Sequence, residues 1–239
     1  MKIGLHSILA ASVIAVLATA GTAHASPLSV SSSVGGAPTG VTLDNLDWLA
    51  LGSGGGSHGA LTVSFAPDAA AVQGSQGGLY AAPYLSGGNG AGFGNPNGNQ
   101  ADGADATTYL TTGSTGAQAN AAVTIQLPTE EMYFGLLWGS VDNYNTLSFY
   151  DGVTLVGQIT GTDVIGSPNG DQGVNGTVYV NINSSLPFNK VVATSSQYAF
   201  EFDNLAFNPR EVQVPEPGTL ALLALGLAGL GASRRRKAD

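Results

Sequence analysis

The feature that most constrains the fold is a series of short apolar segments in the second half of the chain. Residues 121–127 alternate aliphatic and polar side chains, the period-two pattern of a strand with one buried face. Residues 132–138 form a nearly continuous apolar and aromatic run, which is typical of a central strand. Residues 151–152 are Asp-Gly, a strong signal for a two-residue hairpin turn between the segments on either side. This half of the chain is therefore predicted to form a β-sheet.

The same patterns predict strands along the rest of the chain, and no segment shows the pattern of an amphipathic helix. The further predicted strands are residues 41–43, 48–51, 60–66, 146–150, 153–159, 177–182, 190–194 and 198–207. The glycine-rich segment 52–59 and the polar segment 86–115 are predicted to be loops. Many short strands separated by turns favour an antiparallel β-sandwich, so the predicted fold class is all-β.

The N-terminus has the three parts of a secretory signal peptide. Lys2 begins the segment, residues 8–20 are apolar, and Ala23 and Ala25 form a small-x-small exit. We expect cleavage after Ala25, so residues 1–25 are predicted to be a signal peptide with a helical apolar part. The alternative is an N-terminal anchor helix that is not removed.

The C-terminus combines a short motif, an apolar segment and a basic end. The motif is Val214-Pro215-Glu216-Pro217, the apolar segment is 218–233, and Arg234, Arg235, Arg236 and Lys237 follow. As a helix, sixteen residues extend about 24 Å, which falls short of the roughly 30 Å hydrocarbon core of a bilayer. The segment is thus a marginal transmembrane helix whose basic end prefers the cytoplasmic side. The alternative is an apolar helix buried in protein.

This three-part tail resembles the PEP-CTERM sorting signal of Gram-negative bacterial surface proteins. The resemblance covers residues 214–239 and implies processing by an exosortase, a membrane-embedded protease, after export through signal peptidase. It implies a precursor held in the inner membrane and then delivered to the cell envelope, surface or extracellular matrix. The exported domain is then residues 26–213.

A second resemblance concerns residues 133–140 and 200–205, which look like segments of jelly-roll domains in PEP-CTERM proteins. It implies a jelly-roll-like sandwich. Many such domains resemble carbohydrate-binding modules, which often carry a structural calcium. The resemblance thus adds exopolysaccharide as an expected partner and calcium as an expected cofactor.

The charge distribution and the cysteine count exclude several classes of function. The formal net charge is −9, and outside the two ends the basic residues are Lys190 and Arg210 alone. An acidic surface repels phosphate backbones, so nucleic-acid binding is not expected. With no cysteine, thiol catalysis and cysteine-based zinc sites are excluded.

Residues suited to catalysis are scarce. His58 is the one histidine of the exported domain, and its glycine-rich setting is a poor place to hold a general base. Glu201 and Asp203 share one strand face and could line a groove, with Tyr150 or Trp138 as a sugar-stacking ring. The alternative is that both acids face water, while Phe200, Phe202 and Trp138 belong to the core. We therefore expect a protein that is not an enzyme.

One set of oxygen-bearing side chains is suited to a structural cation. Asp203 and Asn204 end the last long strand, and Asp44 and Asp47 follow an early one. Hard oxygen ligands from separate segments suit calcium, so these four residues are a candidate metal site. The sequence thus predicts a structural or adhesive surface module. The alternatives are a secreted glycan-active enzyme and a carbohydrate-binding module.

Overall fold

The computed structural model describes residues 26–33, 35–87, 102–116 and 121–214. The predicted signal peptide, residues 1–25, lies outside this part of the chain. So do residues 215–239, which include the predicted transmembrane segment and its basic end. Within the described residues, no helix has the length and apolar character needed to cross a lipid bilayer.

The described part of the chain is almost entirely antiparallel β-structure. Its thirteen strands are β1 (Leu28–Ser33), β2 (Thr42–Asp44), β3 (Gly56–His58), β4 (Leu61–Phe65), β5 (Ala70–Val72), β6 (Tyr84–Leu85), β7 (Gly103–Ala104), β8 (Tyr109–Thr111), β9 (Ala122–Gly139), β10 (Asn145–Asp151), β11 (Thr154–Thr160), β12 (Val178–Ser195) and β13 (Glu201–Asn208). One short helix, α1 (Gly161–Val164), follows β11. The all-β prediction is confirmed.

Two long strands, β9 and β12, organise the fold. Each has 18 residues and pairs with the other along most of its length, with register shifts on either side of Phe188. The sequence predicted each of them as two separate strands. Pro128 and Pro187 explain the discontinuity, because proline has no N–H to donate to the ladder. The backbone nevertheless continues through both points, so the two strands pass from one layer into the other.

Each half of β9 and of β12 pairs with further strands, and the sheet thereby forms two layers. In the first layer, β10 and β11 extend from residues 190–195 of β12, and β4 and β3 extend from residues 123–126 of β9. In the second layer, β1 pairs with residues 179–184 of β12, and β13 pairs with residues 133–139 of β9. β2 and β8 both pair with the side of β13 that faces away from β9, and β5 pairs with β8.

The main hydrophobic core lies between the two layers. Phe149 of β10 contacts Phe134 of β9 with ring centroids 6.0 Å apart, and it contacts Phe188 at the bend of β12 at 5.0 Å. Trp138 stacks on Phe200 at 4.3 Å, and both side chains are fully buried. The prediction that Trp138, Phe200 and Phe202 belong to the core is therefore confirmed, and Trp138 is not a sugar-stacking surface.

The outer face of the second layer is also buried. Tyr133, Tyr179 and Leu137 point away from the main core and form a second apolar cluster with Leu85 and Ala206. Partly buried residues from two other segments pack against this cluster, namely Ala37 and Val41 before β2 and Val212 after β13. The central strands of the second layer, formed by β13 and the adjoining halves of β9 and β12, are thus covered on both faces, and polar side chains on their outer face are removed from solvent.

Three predictions about the N-terminal half are wrong, and one of them is the loop at 86–115, whose described residues contain β7 and β8. Residues 48–51 form a turn rather than a strand, with the Leu49 N–H donating to the Leu46 carbonyl at 3.0 Å. The predicted loop 52–59 contains β3, which pairs with β4. Glycine at position 56 allows this pairing beside the Trp48 ring, because a Cβ there would lie 2.9 Å from a ring carbon. The strand β3 could not be predicted from sequence, because its residues Gly-Ser-His show no apolar alternation.

Candidate functional site

The acids of β13 belong to two different sites on the outer face of the second layer. The sequence grouped Glu201 and Asp203 as one pair that lines a groove or faces water. Both are buried: Glu201 is 2% exposed and Asp203 is 0% exposed. The interpretation that they face water is wrong, because loops cover this face of the sheet.

Glu201 lies at a polar cavity of about 320 Å³, which we call the Glu201 cleft. Its walls come from residues 75–81, the turn after β9, the loop before β12 and the loop before β13. Its lining includes Gln76, Tyr80, Asp142, Tyr144, Asn169, Gln172 and Tyr198. The cleft thus combines carboxyl, amide and phenol groups from segments far apart in sequence.

Hydrogen bonds hold the Glu201 carboxyl in place. Ser140 Oγ donates to Oε2 at 2.6 Å, and the Ala81 N–H donates to Oε1 at 3.0 Å. Burial raises the pKa of Glu201 from 4.5 to about 7, although these hydrogen bonds partly counter the effect. Ser140 has φ 39°, a left-handed conformation that is uncommon for residues other than glycine. Ser140 thus adopts this conformation at the point where its hydroxyl contacts Glu201.

A second carboxyl, Asp142, lines the same cleft. The Tyr144 hydroxyl lies 2.6 Å from Asp142 Oδ2 and 2.7 Å from the carbonyl oxygen of Tyr198. Burial also raises the pKa of Asp142. Glycine at position 170 makes room for this carboxyl, because a Cβ there would lie 2.8 Å from both Asp142 oxygens. In the sequence, residues 141–145 read Val-Asp-Asn-Tyr-Asn, a composition typical of a polar turn, and this composition is the one signal for a site there.

A separate group of acids lies further along the outer face, where β13 changes partner. We call Asp47, Asp105 and Asp203 the acidic junction. Asp105 lies within hydrogen-bonding reach of Asp203, and the charge of Asp47 also acts on it. Burial, followed by the Asp105 charge, raises the pKa of Asp203 well above its usual range.

The predicted cation ligands are divided by the fold. Asp47 is near Asp203, and Asn204 follows it with its side-chain oxygen buried and without a hydrogen-bond partner. Asp44 has other partners: the Trp48 Nε1–H donates to its Oδ1 at 2.8 Å, and His58 Nδ1 lies 2.9 Å from its Oδ2. Among the described residues, no three histidine, cysteine, aspartate or glutamate side chains form a complete metal site.

His58 lies at the protein surface beside Asp44. Its side chain is 65% exposed at the end of β3, and its side-chain contacts in the described part of the chain are with Asp44 and the Trp48 ring. An ion pair this exposed contributes at most about 1 kcal/mol. The predicted sugar ring Tyr150 is likewise outside the cleft, beneath the Lys190 ammonium at 4.7 Å.

These observations define an all-β, sandwich-like protein with a polar cleft on one layer. Residues 213–237 match the PEP-CTERM protein-sorting motif, which confirms the motif predicted from Pro215, Glu216, Pro217 and the basic end. The motif indicates export and cell-surface sorting in bacteria, and it implies processing by an exosortase-type enzyme. No curated protein is significantly similar to the chain.

Proposed function

We propose that this protein is a non-catalytic, adhesive surface module that contacts exopolysaccharide after its C-terminal motif has directed sorting. The observation that carries this proposal is the Glu201 cleft on an exported sandwich. Sugars are recognised by planar rings together with amide, carboxyl and hydroxyl groups, and the cleft lining offers all of these. Tyr198 is the most accessible of its rings, at 48% exposure.

The hydrogen-bond arrangement supports binding rather than catalysis. Both oxygens of Glu201 accept hydrogen bonds from the protein, and the hydroxyl of Tyr144 occupies one oxygen of Asp142. These carboxyls are therefore held as fixed acceptors in the wall of the cleft. A rigid polar wall loses little conformational entropy when a ligand binds.

A secreted glycan-active enzyme is the second candidate, and the pKa of Glu201 favours it. A carboxyl with a pKa of about 7 is protonated often enough at neutral pH to act as a general acid. Its nearest acidic companion in the cleft is Asp142, since Asp203 does not line this cavity. Glycosidases need two such carboxyls. Hydrolysis of a glycan by the wild-type protein, abolished in Glu201→Gln, would establish the enzyme and refute the adhesive proposal.

Substitution of Tyr198 by alanine is expected to weaken glycan binding by about tenfold, because one stacking contact of about 1 kcal/mol or slightly more is lost. The surface form of the protein would be purified from producing cells and tested against the exopolysaccharide of those cells and a glycan array. Tyr150→Ala is the matched control, since it removes a half-buried tyrosine outside the cleft.

Retained affinity in Tyr150→Ala and reduced affinity in Tyr198→Ala would support the cleft as the binding site. No binding of the wild-type protein to any glycan, or an equal loss in both variants, would contradict the proposal.

A further inference from the structure

We propose that Asp105 and Asp203 are the carboxylate ligands of a calcium-class divalent cation that links β13 to the segment before β8 at the acidic junction. This inference is independent of glycan binding in the Glu201 cleft. It identifies Asp105, a residue of the predicted loop 86–115, as a ligand together with Asp203, and it assigns Asp44 no part in the site.

The unpartnered state of Asp203 is the observation that points to a ligand. Its side chain is 0% exposed, and neither carboxylate oxygen has a donor at full hydrogen-bond geometry, although the Asn204 N–H lies close enough to lower the pKa of the carboxyl slightly against the effect of burial. Buried polar groups are almost always hydrogen-bonded, and an ionised carboxyl that is not paired carries a large desolvation cost. A carboxyl in this position requires either a proton or a cation.

Asp105 is the second buried carboxyl of the acidic junction and lies beside Asp203. It is 3% exposed, and its Oδ2 has no partner. Its Oδ1 accepts hydrogen bonds from the Thr107 N–H at 2.8 Å and the Thr107 hydroxyl at 2.5 Å. These contacts fix the carboxyl and leave Oδ2 without a partner, and the residue lies within hydrogen-bonding reach of Asp203. Two acceptors without a donor between them repel each other unless a positive charge intervenes.

Asp47 adds negative charge without being a free ligand. Its Oδ1 accepts a hydrogen bond from the Thr108 N–H at 3.1 Å, and its Oδ2 accepts one from Asn45 Nδ2 at 2.7 Å. Its carboxyl is thus occupied, yet its charge acts on Asp203. The Asp47 contact also ties the turn after β2 to the segment before β8, so both segments are held at the junction.

The sheet topology explains why a cation would be placed here. On one side, β13 pairs with β8 at residues 201–202 and with β2 at residues 205–207. Residues 203–204 lie at the gap between these two partners. Asn204 has φ 55° and a buried Oδ1 without a partner, so a further neutral oxygen is present at the gap. A cation would link the strand ends that the ladder leaves apart.

The ligand chemistry favours calcium over other metals. The candidate donors are all oxygens: two carboxylates and an amide, with backbone carbonyls and water to complete the shell. Calcium accepts six to eight such oxygens in flexible geometry, whereas magnesium demands a strict octahedron and releases water reluctantly. Zinc and copper favour histidine and cysteine, which are absent from the junction.

The test is thermal unfolding of the purified surface form at pH 7.5, in EDTA and in 1 mM CaCl2. We expect calcium to raise the midpoint by about 5–10 °C, the shift for a site about 99% saturated in a protein of this size. Isothermal titration with CaCl2 should give one site per chain. Asp203→Asn and Asp105→Asn keep the side-chain shape, and each should abolish the calcium-dependent shift. The exposed Asp151→Asn is the control and should retain it.

A shared proton between Asp105 and Asp203 is the competing account. It predicts the same midpoint in EDTA and in CaCl2, with no heat of calcium binding, and that result would overturn the proposal. An undiminished calcium shift in both Asp203→Asn and Asp105→Asn would overturn it as well. If Asp203→Asn does not fold, Asp105→Asn, which alters a loop residue, supplies the same comparison.

Discussion

Replacement of Phe149 by alanine is expected to lower the free energy of unfolding by about 3–5 kcal/mol, the range for large aromatic side chains removed from a core. Phe149 is fully buried in the first layer, and its ring contacts Phe134 in the second layer and Phe188 at the bend of β12. Its removal leaves a cavity where the two layers and the bend meet. Denaturant unfolding of the purified protein, followed by fluorescence, measures the change.

Val153→Ala is the matched control for this prediction. Val153 lies in the hairpin turn between β10 and β11 and is 93% exposed, so its truncation should change the stability by less than about 0.5 kcal/mol. A loss below about 1 kcal/mol in Phe149→Ala would contradict the assignment of Phe149 to a core shared by both layers.

The second large effect concerns the dependence of stability on pH. Burial raises the pKa of Glu201 from 4.5 to about 7, so the folded protein holds this proton more tightly than the unfolded chain does. The contribution of the protonated Glu201 carboxyl to the free energy of unfolding is fully present below pH 4.5. This stabilisation is lost as the pH rises through 7. The total loss is about 3 kcal/mol, because each pH unit between the two pKa values changes the free energy of unfolding by about 1.4 kcal/mol.

Glu201→Gln isolates this contribution from that of the other buried acids. Glutamine keeps an oxygen for the Ala81 N–H and a polar partner for Ser140, yet it does not titrate. Unfolding measured from pH 4.5 to 8 in EDTA should show a smaller decline in the variant than in the wild type, by about 3 kcal/mol over this range. Parallel profiles for the two proteins would contradict the assignment.

Much of the sheet could be predicted from sequence because burial on one face imposes a period of two. Segments such as 60–66 and 121–127 carry this signal. A two-residue hairpin turn joins β10 to β11 as predicted, but it consists of Gly152 and Val153, because Asp151 still pairs with Thr154. Gly152 has φ 57°. The continuity of β9 and β12 could not be predicted. Pro128 and Pro187 break the local pattern, while the pairing that carries each strand past its proline depends on contacts between residues distant in sequence.

The environment of β13 also depends on distant segments. Alternation correctly assigned Phe200 and Phe202 to the main core, and it therefore placed Glu201 and Asp203 on the opposite face. Their burial arises because residues 75–81 and the segments around Asp47 and Asp105 cover that face. These covering segments are short, polar or glycine-rich, so they carry no periodicity that would reveal their position.

The two candidate sites were predictable to different degrees. For the junction, the sequence identified Asp203, Asn204 and Asp47 by residue type and by the ends of predicted strands. Asp105 was missed as their companion, because its proximity results from β8 pairing with β13. For the cleft, Glu201 was noted, whereas its partners Ser140 and Asp142 lie some 60 residues earlier in the chain.

We expect the C-terminal motif to direct surface sorting of the exported sandwich and to be processed in doing so. The most direct measurement is the intact mass of the surface-associated protein, from cells with and without the exosortase. We expect a wild-type chain that begins at Ser26 and lacks the residues beyond the Pro215-Glu216-Pro217 motif, and we expect no such surface form without the enzyme. A surface form that still ends at Asp239 in both strains would contradict the claim.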